Sequence, residues 1–401
     1  MASNMENLER FIRYVKIDTQ ASDQTGTTPS TEKQKDLGAL LVKELLDLGL
    51  EDAHMDEYGI VYAHLEGKGT RIGLNAHIDT ALEVTGAGVK PHLIRDYKGG
   101  TIKLANGLEM TPAQFPILRK HVGHDLVVTD GNTLLGADDK AGIAIIMSAL
   151  QYFHDHPEVK HNTICVAFTV DEEIGEGPLH FDYHKFDAKY AYTIDGSDIS
   201  LIEAENFNAY GAKVNITGVS IHPGEAKGKL INALLLANEL IDLLPANETP
   251  FHSEGKQGYW HLGGINGDSE QAQMSFILRD FKDDGIKNRI EVLKKAVKTL
   301  QEKYPQAKLS VEFKEQYRNM KKFVEKKPIA LKRARAVMRK NGIEPVSSAI
   351  RGGTDGATFS RNGLITPNLG TGSYNHHGRF EFLDIQEFNK MISVVIDLMK
   401  K

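Results

Sequence analysis

Phe168-Thr-Val-Asp171-Glu172-Glu173-Ile-Gly175 is the stretch on which the reading of this chain turns. It completes Thr163-Ile-Cys-Val-Ala-Phe-Thr-Val170, an almost unbroken apolar and β-branched run whose length and composition predict a buried strand. Three consecutive carboxylates at the end of such a strand call for something positive beside them. Side chains on extended chain alternate between faces. Glu172 and Glu173 are therefore expected to address one cationic centre differently, one as a ligand and the other unbound. Taken alone, the stretch reads equally as a solvated acidic turn.

The arrangement recurs on either side. Residues 59–65 and 71–76 read as strands, the second ending in His77-Ile-Asp79, and residues 188–194 as a strand ending at Asp195-Gly196. Between them, Gly136-Ala-Asp138-Asp139-Lys140-Ala-Gly142 leads into a buried helix over 143–152. Strands alternating with helices define an α/β fold, and open sheets of that class place ligands outside the carboxyl ends of their strands. Imidazole and carboxylate groups without thiolate suit zinc, with manganese or cobalt as substitutes. Six candidates exceed the needs of one catalytic ion and fit two sharing a bridging carboxylate, which the Asp138-Asp139 pair can supply. Asp79 can accept the second N–H of the His77 imidazole and fix its tautomer.

Bulk properties narrow the class. The 401 residues are 41% hydrophobic and 25% charged, ordinary values for a chain with ample core. A net charge of −6 argues against a nucleic-acid surface. The one cysteine, Cys165, lies inside a strand and excludes a disulfide framework. No signal-peptide core and no apolar run of roughly 20 residues is visible, so a cytoplasmic protein without membrane association is expected.

Elsewhere, Leu8, Phe11, Ile12 and Val15 mark a first helix, and Ser30 or Thr31 is positioned to cap a second that ends at Gly49. Residues 80–130 form a long excursion with little periodicity. From about Phe207 the texture changes: strand, helix, two strands, helix and strand follow in the order of a ferredoxin-like module. The expected organisation is a catalytic domain over 1–206 and 317–401, its mostly parallel sheet flanked by helices, interrupted by a lid or dimerisation domain over 207–316. His180 and His184 stand four apart, but Phe181 follows where a zinc-binding helix of that type carries Glu.

The motifs His77-Ile-Asp79, Gly136-Ala-Asp138-Asp139-Lys140, Asp171-Glu172-Glu173, Asp195-Gly196, His222-Pro-Gly224, Arg351-Gly-Gly-Thr-Asp-Gly356 and Asn375-His-His377-Gly378 together resemble the co-catalytic zinc peptidases. That family includes carboxypeptidase G and succinyl-diaminopimelate desuccinylase. Asp96-Tyr-Lys-Gly-Gly100, Phe115-Pro-Ile-Leu118, Thr129-Asp-Gly131, Glu205-Asn-Phe-Asn208 and Leu278-Arg-Asp-Phe281 resemble its tripeptide aminopeptidase branch in particular. The resemblance runs from about Leu8 to the end.

It implies two Zn²⁺ per subunit: His77 and Asp195 on one, Glu173 and His377 on the other, Asp138 bridging. It makes Glu172 the general base and Asp79 the residue that orients His77. His222 would reach the oxyanion, from the neighbouring subunit of a homodimer in related enzymes. Arg279 and Arg351 would hold the carboxylate or carbonyls of the peptide. His376 departs from the aromatic residue expected beside the ligand. The implied function is removal of the N-terminal residue from tripeptides. The alternatives are a dipeptidase, carboxypeptidase or N-acyl amino acid hydrolase on the same scaffold, or, more remotely, a non-catalytic peptide- or metal-binding protein.

Overall fold

The computed structural model describes residues 4–401; the first three residues assigned above to the catalytic domain lie outside the described residues. The chain separates into two compact units. One comprises the chain up to Ala204 with Lys322–Ser348 and Thr354–Lys401; the other comprises Glu205–Lys321 with Ala349–Gly353. The seam falls a few residues from 206 and 316 because the strands that cross it are tied past those points. Asn206 Nδ2 donates to Arg318 O at 3.2 Å, and Lys321 pairs with Glu205.

The first unit is built on an eight-stranded sheet in the order His54–Met55, Val61–Leu65, Thr163–Thr169, Arg71–His77, Tyr190–Gly196, Asn368–Gly370, Leu201–Asn206, Val346–Ile350. The sheet is mixed, where a mostly parallel one was expected. Its four central strands are parallel, while Val61–Leu65 and Leu201–Asn206 join antiparallel. The reason is connection length. Residues 66–70 are too few for a parallel crossover, which takes a dozen or more, so Val61–Leu65 and Arg71–His77 run oppositely and Thr163–Thr169 fits between them.

The buried, β-branched character of Thr163–Thr169, whose residues are all buried, follows from strands on both sides and layers on both faces. The helix Ala137–Asp155 lies over the Arg71–His77 and Tyr190–Gly196 strands with almost its whole surface buried. Gly142 permits that approach, since a Cβ there would stand 1.9 Å from Ile194 O. Helices Asn4–Val15 and Ile385–Met399 pack against it in turn. As expected, Asp384 caps the latter, its side chain accepting from Glu387 N. Ser30 and Thr31 cap nothing: the second helix begins at Gln34, and Ser30 is bonded to Asp171.

The 80–130 excursion is ordered by partners far along the chain. Its strands His92–Ile94 and Leu126–Val128 form an antiparallel sheet with Phe382–Asp384 and Ser373–Tyr374. That sheet has an apolar core of its own, including Tyr97, Met110, Leu118 and Phe382.

The second unit is an antiparallel sheet ordered Tyr259–Gly267, Gln271–Asp280, Asn208–Thr217, Lys308–Tyr317, with helices Ala233–Asp242 and Asp283–Lys303 packed on it. Numbered along the chain, the strands lie 2-3-1-4, the ferredoxin-like order. No helix among the described residues is long and apolar enough to cross a membrane.

Candidate metal centre

Four parallel strands present their carboxyl ends at one edge of the first sheet, and each delivers part of one polar cluster. Arg71–His77 ends in His77. Thr163–Thr169 leads to Asp171, Glu172 and Glu173. Tyr190–Gly196 carries Asp195, and Asn368–Gly370 leads through residues 371–375 to His376 and His377. Side chains separated by up to 300 positions in sequence thereby converge.

Asp138 occupies the middle. Its Oδ1 is 3.0 Å from His77 Nε2 and its Oδ2 3.3 Å from His377 Nε2, so the two oxygens of one carboxylate face two imidazoles. On the first side Asp195 Oδ1 stands 3.6 Å from His77 Nε2. On the second, Glu173 Oε2 lies 3.0 Å from His377 Nε2, while Glu173 Oε1 is buried without a hydrogen-bond partner. Asp139 accepts from the backbone N–H groups of His77 and Gly142, each at 3.2 Å, and its carboxylate lies within 4.8 Å of ligand atoms of His77 and Asp195.

Burial, then the Asp138 charge, pushes the Glu173 carboxyl up to about 7; burial does the same to Asp195. Asp138 and Glu173 together pull the His377 imidazole up to about 12. Burial opposes a charge on His77, yet Asp195 and Asp138 hold its pKa well above the ordinary histidine value. Three largely enclosed carboxylates against two imidazoles, with one carboxylate oxygen buried and unsatisfied, form a donor set short of positive charge. Such a set fits divalent cations.

The glutamate turn differs from the extended geometry expected. Asp171 is left-handed (φ 58°) and Glu172–Ile174 form a 3-10 turn. What separates the two glutamates is this turn, clamped by Asp79, whose Oδ1 and Oδ2 accept the Glu172 and Glu173 N–H groups at 3.0 Å each. The nearest Asp79 atom to His77 Nδ1 is its backbone oxygen, at 3.0 Å, with the carboxylate at 3.4 Å. Asp79 thus holds both the imidazole and the turn. Glu172 has no hydrogen-bond or ion-pair partner for its carboxylate among the described residues, and burial holds its pKa well above the usual range. Asp171 is structural, its oxygens accepting from Ser30 N and Oγ and from Gln34 Nε2.

Two contributors carry no role in the sequence reading, Asp355 standing there only within the Arg351–Gly356 motif. Asp355 is buried at the start of a helix, accepting from Thr169 Oγ1 at 2.5 Å. Glu381 is buried and accepts the backbone N–H groups of Leu135, Gly136 and Asp138 at 2.8, 2.7 and 2.9 Å. It holds the loop that presents Asp138, and only its place four residues after His377 hinted at it. Replacing Glu381 with Ala leaves three N–H groups without their acceptor, at about 1–3 kcal/mol for an unsatisfied buried group. The expected result is a clearly lowered Tm in both metal-free and metal-loaded protein; an unchanged Tm in the metal-free protein would refute the clamp.

The residues expected to touch substrate have local partners. Arg351 donates to Gly255 O (2.6 Å), Gln257 O (3.2 Å), Ser253 O (3.4 Å) and Ser253 Oγ (2.9 Å), and lies over the Phe207 ring. Arg279 donates to Leu278 O at 3.0 Å and lies over Tyr317. His222 is exposed, its Nδ1 accepting from Gly224 N. His376 Nε2 bonds Ser373 Oγ at 2.8 Å while its Nδ1 stands 3.5 Å from Asp138. His180 stacks on Tyr58 with ring centroids 3.9 Å apart. A separate group, His121 and His124, meets Asp384, whose Oδ2 lies 2.8 and 2.5 Å from their Nδ1 atoms, while His121 Nε2 is buried without a partner.

Residues 125–401 match peptidase family M20/M25/M40, and the chain belongs to that family. With the convergent ligand groups, this makes it a metal-dependent peptidase. The chain is 46% identical over 402 residues to Peptidase T of Bacillus subtilis, covering 99% of this chain and 98% of the relative. It is 45% identical over 396 residues to Peptidase T of Clostridium perfringens, covering 98% of each. Among solved structures, aminopeptidase PepT of Bacillus cereus aligns with a TM-score of 0.78 at 22% identity. A tripeptidase of Staphylococcus aureus aligns with a TM-score of 0.80 at 21% identity. Both alignments cover 99% of this chain and 98% of the other, and at these identities the likeness is one of fold.

Proposed function

We propose that this protein is a two-zinc aminopeptidase that removes the N-terminal residue from tripeptides. The observation that carries the reading is the Asp138 carboxylate, with one oxygen toward His77 and the other toward His377. His77 and Asp195 would hold one ion, Glu173 and His377 the other, and Asp138 both. The ions supply Lewis acidity toward the scissile carbonyl and toward water. Glu172 is the acid left unbound: its carboxylate takes a proton from the attacking water and returns it to the nitrogen of the leaving amine. Asp79 keeps that carboxylate in place through the two N–H groups of the turn and orients His77 through its ring nitrogen.

The same reading keeps His222, Arg279 and Arg351 as contacts to the peptide, the second unit as a lid and dimerisation module, and a homodimer as the working assembly. Because Arg351 is already engaged with the 253–257 loop, its replacement by Ala is expected to lower stability as well as raise KM.

The test is a peptide-length profile. Zinc-loaded protein is expected to cleave tripeptides in preference to di- and tetrapeptides and acylated amino acids, and to stop when a chelator removes the metal. Preference for any other length, or undiminished turnover in chelator, would overturn the proposal.

A further inference from the structure

Glu203 is a half-buried acid that the mechanism above leaves without a task. It sits on the Leu201–Asn206 strand, paired in register with Asn368, which is itself in register with Thr193. Register partners project to the same face of a sheet, as do residues two apart on one strand. Glu203 therefore shares a face with Asn368, Thr193 and Asp195. The Asn368 side chain lies between, donating to Asp195 O at 3.5 Å. With strands roughly 4.8 Å apart, Glu203 stands two strands, about 10 Å, from the row that ends in Asp195, at the flank of the metal cluster.

Carboxylates partly withdrawn from water are favoured by a charged or hydrogen-bonding partner. Among the described residues none donates a hydrogen bond to Glu203 or forms an ion pair with it, and the residue remains half-open to solvent. The ionisable neighbour acting on it is His376, whose own nitrogens are directed at Ser373 Oγ and Asp138. The fold therefore holds an unpaired, solvent-reachable carboxyl group beside the centre.

We propose that Glu203 receives the α-ammonium of the peptide and so restricts hydrolysis to free N-termini. An ammonium brings three donors and a full positive charge, and charge-assisted bonds to a carboxylate are about twice as strong as neutral ones. Burial, opposed only in part by His376, pushes the Glu203 carboxyl up to about 7, and a substrate cation is the partner that would restore its charge. A site built around a polar substrate group also rejects analogues lacking that group, because its own partner is then left unpaired.

The inference rests on the aminopeptidase reading, and the experiment separates the two. Ala-Gly-Gly and its des-amino analogue propionyl-Gly-Gly are compared in the zinc-loaded wild-type enzyme and in Glu203→Gln. Wild type is expected to favour Ala-Gly-Gly in kcat/KM by at least about 10²-fold. Glu203→Gln should lose most of that preference by losing activity on Ala-Gly-Gly alone, with zinc content unchanged. If wild type shows no preference, the aminopeptidase reading itself fails. If wild type discriminates and Glu203→Gln does so equally, or loses both substrates in parallel, the assignment of Glu203 is wrong. Loss of a preference for Lys-Gly-Gly over Ala-Gly-Gly, with the des-amino discrimination intact, would likewise overturn it, placing Glu203 against the first side chain. Glu203→Asp, which keeps the charge on a shorter arm, guards against misfolding: it should raise KM for Ala-Gly-Gly and leave the des-amino substrate unchanged, and equal effects on both would count against the proposal.

Discussion

Glu172→Gln is expected to leave the metal in place and lower kcat by on the order of 10²–10⁴-fold, the usual contribution of a positioned general base. The amide keeps the size of the side chain and the turn that holds it, since Asp79 grips the backbone N–H groups of Glu172 and Glu173 and not their carboxylates. What it loses is the capacity to accept a proton. Glu173→Gln is the internal control: that carboxylate faces His377 and lies in one ligand group with Asp138, so its loss should show first in metal stoichiometry. Metal analysis alongside steady-state kinetics decides between them. If Glu172→Gln lost a zinc while Glu173→Gln kept both, the two roles would have to be exchanged.

Asp138→Asn is expected to have the broadest effect of any single change. One carboxylate faces both imidazoles, and two divalent ions roughly 3.5–4 Å apart repel each other unless an anion lies between them. The amide is neutral and offers one oxygen where there were two. Zinc content should fall to one ion per chain or fewer, and kcat/KM by on the order of 10³-fold or more, because several kcal/mol of carbonyl polarisation go with the ion. The Asp139 carboxylate is engaged by the N–H groups of His77 and Gly142, bonds it would have to give up to substitute. Retention of two zinc ions in Asp138→Asn would show that the bridge lies elsewhere and would dismantle the proposed site.

The contrast between these two aspartates shows how far local sequence reaches. Adjacent and alike in type, they differ in which way the fold turns them, and the assignment of Asp138 in the sequence came from a family pattern and not from its chemistry. The same holds for Glu172 and Glu173. An extended strand end would separate them by simple alternation, whereas a left-handed Asp171 and a 3-10 turn separate them in the structure. Arg351 illustrates the opposite limit. A guanidinium in a glycine-rich turn reads as a carboxylate clamp, but its donors are met by carbonyls almost a hundred residues away.

By itself the sequence determined the α/β class, the strands that end in His77, Glu172 and Asp195, the ferredoxin-like order of the second unit and the metal-suited residue set. All of these follow from signals within a few residues: apolar runs, strand and helix periodicity, and carboxylates or histidines at the ends of elements. Only the tertiary structure decided the mixed direction of the sheet, the clamp of Glu381 on the Asp138 loop, the capture of Asp171 by Ser30 and the unpaired state of Glu203. Each depends on groups far apart in the chain, 246 residues for Glu381 and Leu135 and 141 for Ser30 and Asp171. A hydrogen bond has no signature in the residues between its partners, so contacts of that span exist only once the chain has folded.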